Sequence, residues 1–340
     1  MPLSTPEKKK THRLRWALVI LFVILLTGYI ILVNLLVSAA LVPSFMEKLD
    51  AFQEVTEQSY AQQIHTSDIS ENRSAALAET RAWLKTARMD KLSRTSRDGY
   101  RLVAAEFPAE AETHRWAVLL HGYTGWKEEM YPFALWYHRQ GCNVLIPGLR
   151  GHEDTIGESV TTLGYYEQYD LFDLLCTAAE QTGIMRFVLH GEGMGANAAL
   201  LLCGNESYLQ KLADRGISIE LVVAESACTD LTTLLNWEAS RQLSIRGFLG
   251  RAAMRMTVSQ NLGFNPSEVS MLSAVGRMTI PAVFICGEEA GYIPASWSRA
   301  LFEACAAEKT LCLVPNAGHA AAWAYGREQY EAAILERIAG

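Results

Sequence analysis

Apolar and polar positions divide the chain into three regimes. From Trp16 to Val42 the sequence WALVILFVILLTGYIILVNLLVSAALV runs without a charged residue. Wound as an α-helix at about 1.5 Å per residue, it would reach roughly 40 Å, more than the ~30 Å hydrocarbon core of a bilayer. Ser38-Ala39-Ala40 offers the small residues of a signal-peptidase site, but signal-peptide apolar regions span only about 7–15 residues. The run therefore predicts an uncleaved transmembrane anchor over 16–42. In residues 43–92, Phe45, Leu49, Phe52, Val55, Tyr60 and Ile64, then Trp83 and Leu84, recur near the helical period. That spacing predicts a helical, membrane-proximal segment packed on the main domain.

From residue 93 onward, short β runs alternate with helical stretches. YRLVAAEF (100–107), RWAVLLHG (115–122), CNVLIPG (142–148), MRFVLHG (185–191), IELVVAES (219–226), PAVFICGEE (281–289) and KTLCLVPNAGH (309–319) read as strands. EMYPFALWYHRQG (129–141) and YYEQYDLFDLLCTAAEQTG (165–183) read as helices stopped by glycine, and a last helix runs from about Gly326 to Ile338. This alternation predicts an α/β domain over 93–340, a mostly parallel sheet with helices on both faces. Between Asp230 and Thr279 the alternation lapses. An insertion there would hang at the carboxyl ends of the strands, where ligands bind in such sheets, so a small helical cap over 230–279 is expected.

Charge sets the orientation. Lys8, Lys9, Lys10, Arg13 and Arg15 precede the anchor and only Lys48 follows it closely. Basic flanks stay cytoplasmic, which predicts a cytoplasmic tail over 1–15, a single-pass topology and an extracytoplasmic main domain. The net charge of −7 hides the tail's excess of five Lys and Arg over the single acid Glu7, which leaves −11 on the remainder. An acidic domain is poorly suited to nucleic acid, whose affinity rests on neutralising phosphates. The seven cysteines sit mostly in apolar runs and none has C-x-x-C spacing, so buried thiols are expected. No H-x-x-x-H or H-E-x-x-H occurs, and GEGMG lacks both G-x-G-x-x-G spacing and the Lys-Ser/Thr of a P-loop. Neither a metal nor a cofactor is expected.

Five landmarks carry the chemistry. They are LLHGYTG (119–125), LRGHEDTIGE (149–158), HGEGMGA (190–196), CGEEAGYIP (286–294) and PNAGHA (315–320). In this order, on these strand ends, they resemble the α/β-hydrolase fold over about 95–338. They look most like its membrane-anchored bacterial branch, related to serine aminopeptidases and acyl hydrolases. The resemblance implies an oxyanion hole from the backbone N–H groups of Tyr123 and Met194, a catalytic base at His319, and loop-shaping roles for His121 and His152.

Two expected groups are missing. G-x-S-x-G holds its nucleophile at the centre of a strand-to-helix elbow, and here that position is Gly193. The acid that orients the histidine falls on Ala290. Glu288, Glu289 and Asp230 are possible substitutes. Losing the nucleophile of such a site costs about 10⁶ in kcat, whereas a backbone oxyanion hole needs no particular side chain. The expectation is a pseudohydrolase that binds a small acyl- or peptide-like ligand or a protein partner. The alternatives are a hydrolase of ester or amide bonds in which His319 activates water beside the hole, and a structural membrane-associated protein. Tyr123, Trp126, Trp237 and Phe248 stand near the expected mouth, as ligand contacts or as packing.

Overall fold

The computed structural model describes residues 6–40, 67–152, 155, 159–182, 185–241 and 247–338. An eight-stranded sheet forms its centre, in the order β1-β2-β4-β3-β5-β6-β7-β8. The strands are β1 (Asp90–Thr95), β2 (Arg101–Phe107), β3 (Arg115–Leu120), β4 (Asn143–Pro147), β5 (Met185–Glu192), β6 (Ile217–Glu225), β7 (Ala282–Gly287) and β8 (Lys309–Val314). β2 runs antiparallel to both β1 and β4, and the remaining pairs are parallel. Parallel strands covered on both faces have no solvent side, which is why β3, β5 and β7 read as almost unbroken apolar runs.

One face of the sheet is covered by α4 (Glu167–Thr182), α5 (Met194–Cys203), α6 (Glu206–Ala213), α9 (Met271–Val275) and α10 (Ala295–Ala304). The other is covered by α3 (Tyr131–Arg139), α11 (Ala322–Tyr325) and α12 (Arg327–Ile338). At the N-terminus, α1 (Pro6–Ala40) contains a stretch, Leu14–Ser38, long and apolar enough to cross a membrane. α2 (Ser67–Leu84) rests on the second face through Trp83, whose ring lies 4.9 Å from that of Phe107.

The segment assigned to a helical stalk over 43–92 needs one correction. The sheet already begins at Asp90, because β1 pairs with β2 from that residue. Residues 41–66 of the stalk lie outside the described residues. Between β6 and β7, in the stretch 230–279, the chain forms α7 (Leu231–Arg241), α8 (Gly247–Leu262) and α9. α9 packs on α5 and α10 and is an ordinary crossover helix. α7 turns Leu231 and Leu234 into the main core, while its Leu235 and Ala239 join α8 and the C-terminal half of α1 in a separate apolar cluster.

Candidate active site

The elbow between β5 and α5 is built as G-x-S-x-G builds it, apart from its central side chain. Gly193 has φ 49° and ψ −106°, a positive-φ conformation that costs an L side chain energy and that glycine adopts freely. Here its N–H donates to Glu225 O at 2.8 Å and its carbonyl accepts from Asn197 N at 2.9 Å. The flanking glycines are required by space. A Cβ on Gly191 would lie 2.3 Å from the carbonyl carbon of Gly195, and one on Gly195 would lie 2.3 Å from Leu120 O. At Gly193 a Cβ would meet nothing within 4 Å. Two of the three glycines are therefore dictated by packing, and the one at the nucleophile position is not. Met194 N–H opens α5, in the first turn, where helical N–H groups have no intrahelical acceptor.

Two buried histidines shape the loops that face the elbow. His121 Nε2 accepts from Leu149 N at 3.2 Å, and its Nδ1–H donates to Gly122 O at 2.9 Å. His152 Nε2 accepts from Thr124 N at 3.1 Å, and its Nδ1–H donates to Arg150 O at 2.9 Å. Accepting a backbone N–H at Nε2 fixes each ring as one neutral tautomer. Burial, with His152 nearby, pushes His121 down to about 3, and burial also lowers His152. These bonds hold Thr124 at φ 60°, immediately after Tyr123. Arg150 anchors the same loop, with two hydrogen bonds of 2.7 and 2.8 Å to buried Asp170 and a third of 2.8 Å to Asp98.

His319 follows β8 as expected, and its ring sits 4.8 Å from that of Tyr292. Its Nδ1 is buried without a hydrogen-bond partner, and burial lowers its pKa to about 4. In a Ser-His-Asp triad this nitrogen donates to the acid. The turn that would carry the acid lies alongside: Glu289 N donates to Ala317 O at 3.0 Å, and a Cβ on Gly287 would collide with the same carbonyl at 2.2 Å. Ala290 on that turn is buried and brings no oxygen. None of the three substitute acids pairs with the orphaned Nδ1. Glu288 is exposed and lies 3.5 Å from Arg299, and Glu289 is exposed. Asp230 caps α7, accepting from Thr233 N and Thr233 Oγ1 at 2.7 Å each. Trp237 belongs to packing, since its Nε1 donates to Tyr292 O at 2.7 Å and its ring meets that of Trp297. Phe248 lies exposed on α8. Among the described residues, no three His, Cys, Asp or Glu side chains converge as a metal set.

Sequence reasoning missed a buried polar chain beneath the elbow. Tyr330 O–H donates to Glu225 Oε2 at 2.8 Å, His190 Nε2–H donates to Tyr330 Oη at 2.8 Å, and Tyr137 O–H donates to His190 Nδ1 at 3.2 Å. Glu225 also accepts from Ala322 N–H, yet its Oε1 has no partner. Burial pushes Glu225 up to about 7, against the lowering effect of these bonds, and lowers His190 to about 3. The available signal was polarity inside apolar strands: His190 in RFVLHG and Glu225 in LVVAES. The partner Tyr330, 105 residues beyond Glu225, lay out of reach of any local pattern.

The alpha/beta hydrolase family profile matches residues 117–333. A curated relative, the uncharacterized protein YqkD of Bacillus subtilis (strain 168), is 28% identical over 197 residues. That alignment takes in 58% of this chain and 62% of the relative, so the chain spans about three-fifths of the relative's length. Solved structures share the fold. The esterase Pf2001 of Pyrococcus furiosus aligns with a TM-score of 0.58 at 19% identity, over 75% of this chain and 91% of its own. Est1E from Butyrivibrio proteoclasticus, with ferulic acid bound, gives 0.54 at 15% identity over 73% and 100%. The acylaminoacyl peptidase of Pyrococcus horikoshii gives 0.55 at 13% identity over 76% and 43%.

Proposed function

Because this chain belongs to the alpha/beta hydrolase family, we propose that it is a membrane-anchored member whose elbow binds rather than reacts. Its ligand is a small acyl- or peptide-like molecule, or the end of a protein partner. The main domain stands on the extracytoplasmic side of a single-pass anchor, with the basic tail inside. One observation carries this reading: the elbow keeps its tight positive-φ turn and its open space while the residue at its centre has no side chain.

The remaining groups suit recognition better than turnover. Without an attacking oxygen, the covalent route is closed, and its loss is worth about 10⁶ in kcat in a serine protease. A histidine with a pKa of about 4 is mismatched to general-base work near neutral pH, where a pKa close to the working pH is favoured. It also has no carboxylate to stabilise the imidazolium that proton abstraction would create. The N–H groups of Tyr123 and Met194 need no side chain to donate to a carbonyl or carboxylate oxygen. The esterase and acylaminoacyl peptidase among the structural neighbours support an acyl-bearing ligand.

The test treats the full-length chain and its Gly193→Ser variant with a fluorophosphonate probe and a panel of acyl esters and aminoacyl amides. The native protein should remain unlabelled and inactive, the variant should label, and adding His319→Ala to the variant should suppress labelling. Turnover by the native chain, abolished by His319→Ala alone, would refute the binding role and establish water activation by the histidine.

A further inference from the structure

The last turns of α1 do not stand clear of the domain. Val33 and Val37 are buried against Ala253, Met254 and Val258 of α8. Two hydrogen bonds set the register: Asn34 Nδ2 donates to Thr257 Oγ1 at 3.2 Å, and Asn261 Nδ2 donates to Ser38 Oγ at 2.8 Å. The two bonds are four residues apart on both helices, so α1 and α8 run parallel and in step. The buried face of α8 includes Gly250, Ala253 and Thr257, small residues at helical spacing of the kind that let helices approach closely in lipid.

This register places α8 against the candidate span. Phe248 precedes Thr257 by nine residues, so it sits roughly 13 Å from the level of Asn34, back toward the N-terminus of α1. That level falls inside Leu14–Ser38. Facing away from the domain, α8 carries Phe248, Leu249 and Met256, which are 77%, 54% and 53% exposed. Outside α1 they are the most exposed large apolar side chains among the described residues. Arg251 and Arg255 are exposed on the same helix, and Arg255, within about 8 Å of the level of Gln260, can lay its stem along apolar surface while its head reaches toward the interface.

We propose that α8 is seated in the bilayer leaflet from which the Ser38 end of α1 emerges, with Phe248 deepest among the acyl chains and Gln260 at the headgroups. The occupant of its apolar face is lipid, because that face is continuous with a packed, hydrogen-bonded seam along the membrane span. The inference rests on α1 being a retained anchor and is independent of whether the elbow binds or reacts. Its structural consequence reaches the site. α7 packs on α8, and Trp237 of α7 donates to the carbonyl of Tyr292, whose ring lies 4.8 Å from that of His319 at a tilt of 58°. The turn that carries Tyr292, beside His319, is thereby tied to the membrane through α7 and α8.

The seven native cysteines are all buried, which permits site-specific nitroxide labelling of the full-length chain in vesicles of phosphatidylcholine and phosphatidylglycerol. Labels at Phe248→Cys, Met256→Cys and Gln260→Cys are compared with a lipid reference at Leu21→Cys and a water reference at Glu308→Cys. Relaxation by oxygen relative to a water-soluble nickel chelate should match the lipid reference at 248 and decline through 256 to 260. The Ser38→Cys/Asn261→Cys pair should form a disulfide in the same vesicles. Nickel reaching position 248 as readily as 308 would overturn the proposal. So would failure of the pair to cross-link, or removal of the N-terminal segment from the protein recovered in membranes.

Discussion

A turn of φ 49° at Gly193 and a missing side chain are separate facts, and substitution separates them. An alanine at 193 meets no atom within 4 Å and incurs only the positive-φ backbone penalty, about 1–3 kcal/mol. An alanine at 191 drives its Cβ to 2.3 Å from the backbone of Gly195, a clash that only movement of the elbow can relieve, at a cost of at least about 3 kcal/mol. Thermal unfolding in detergent should therefore show Gly193→Ala close to the native midpoint and Gly191→Ala far below it. The second residue-scale prediction concerns the orphaned Nδ1 of His319. Ala290→Asp introduces a carboxylate on the adjoining turn, which should raise the histidine pKa from about 4 by favouring the imidazolium. In the Gly193→Ser background, this change should speed probe labelling by up to about 10⁴, the loss in kcat that follows when the acid of a serine-protease triad is replaced by its amide. Its pH profile should also move upward. Both glycine flanks and the place of His319 after the last strand are legible in the sequence because each belongs to a local motif. The unpartnered Nδ1 and the separate commitments of Glu288 and Asp230 depend on side-chain placement, which no local pattern encodes.

Among the elements, legibility followed burial. β3, β5, β6 and β7 stand between covered faces and show as apolar runs that the reading recovered within a residue or two. β1 escaped because it is an edge strand with one buried residue, Leu92, between Lys91 and Ser93. An edge strand with polar side chains on its open face resembles the end of a helical stalk more than a sheet. α7 and α8 were anticipated as a break in the alternation, but their packing partner was not. Along its length α8 intersperses the small and apolar residues of its seam with α1 with exposed Arg251 and Arg255, a composition that local periodicity assigns to a solvent-exposed helix. The polar residues of α1, Asn34 and Ser38, mark the seam that hydropathy alone treats as interruptions.

At the scale of the molecule, the polar chain from Tyr137 through His190 and Tyr330 to Glu225 links α3, β5, α12 and β6 directly beneath the elbow. Its acid should leave a signature in stability. Glu225 has a folded pKa of about 7 against an ordinary value of 4.5, so between these values the folded chain holds a proton that the unfolded chain releases. Stability contributed by this group is therefore present below about pH 4.5 and declines as pH rises through 7. The buried histidines act in the opposite sense. His121, His190 and His319 have lowered pKa values, and their neutral burial favours the folded state increasingly as pH rises toward 6.5. The native pH profile sums both effects, and Asp170, raised to about 6 by burial, adds to the first. Glu225→Gln keeps an acceptor for Tyr330 and removes only the titration, so the histidines and Asp170 cancel in the difference between variant and native chain. That difference should shift in favour of the variant by about 1–3 kcal/mol between pH 5 and pH 8. Unfolding midpoints of the two full-length proteins in detergent, measured at both pH values, provide the test. A difference that does not change with pH would mean that Glu225 stays ionised throughout, with its charge held by the Tyr330 and Ala322 bonds.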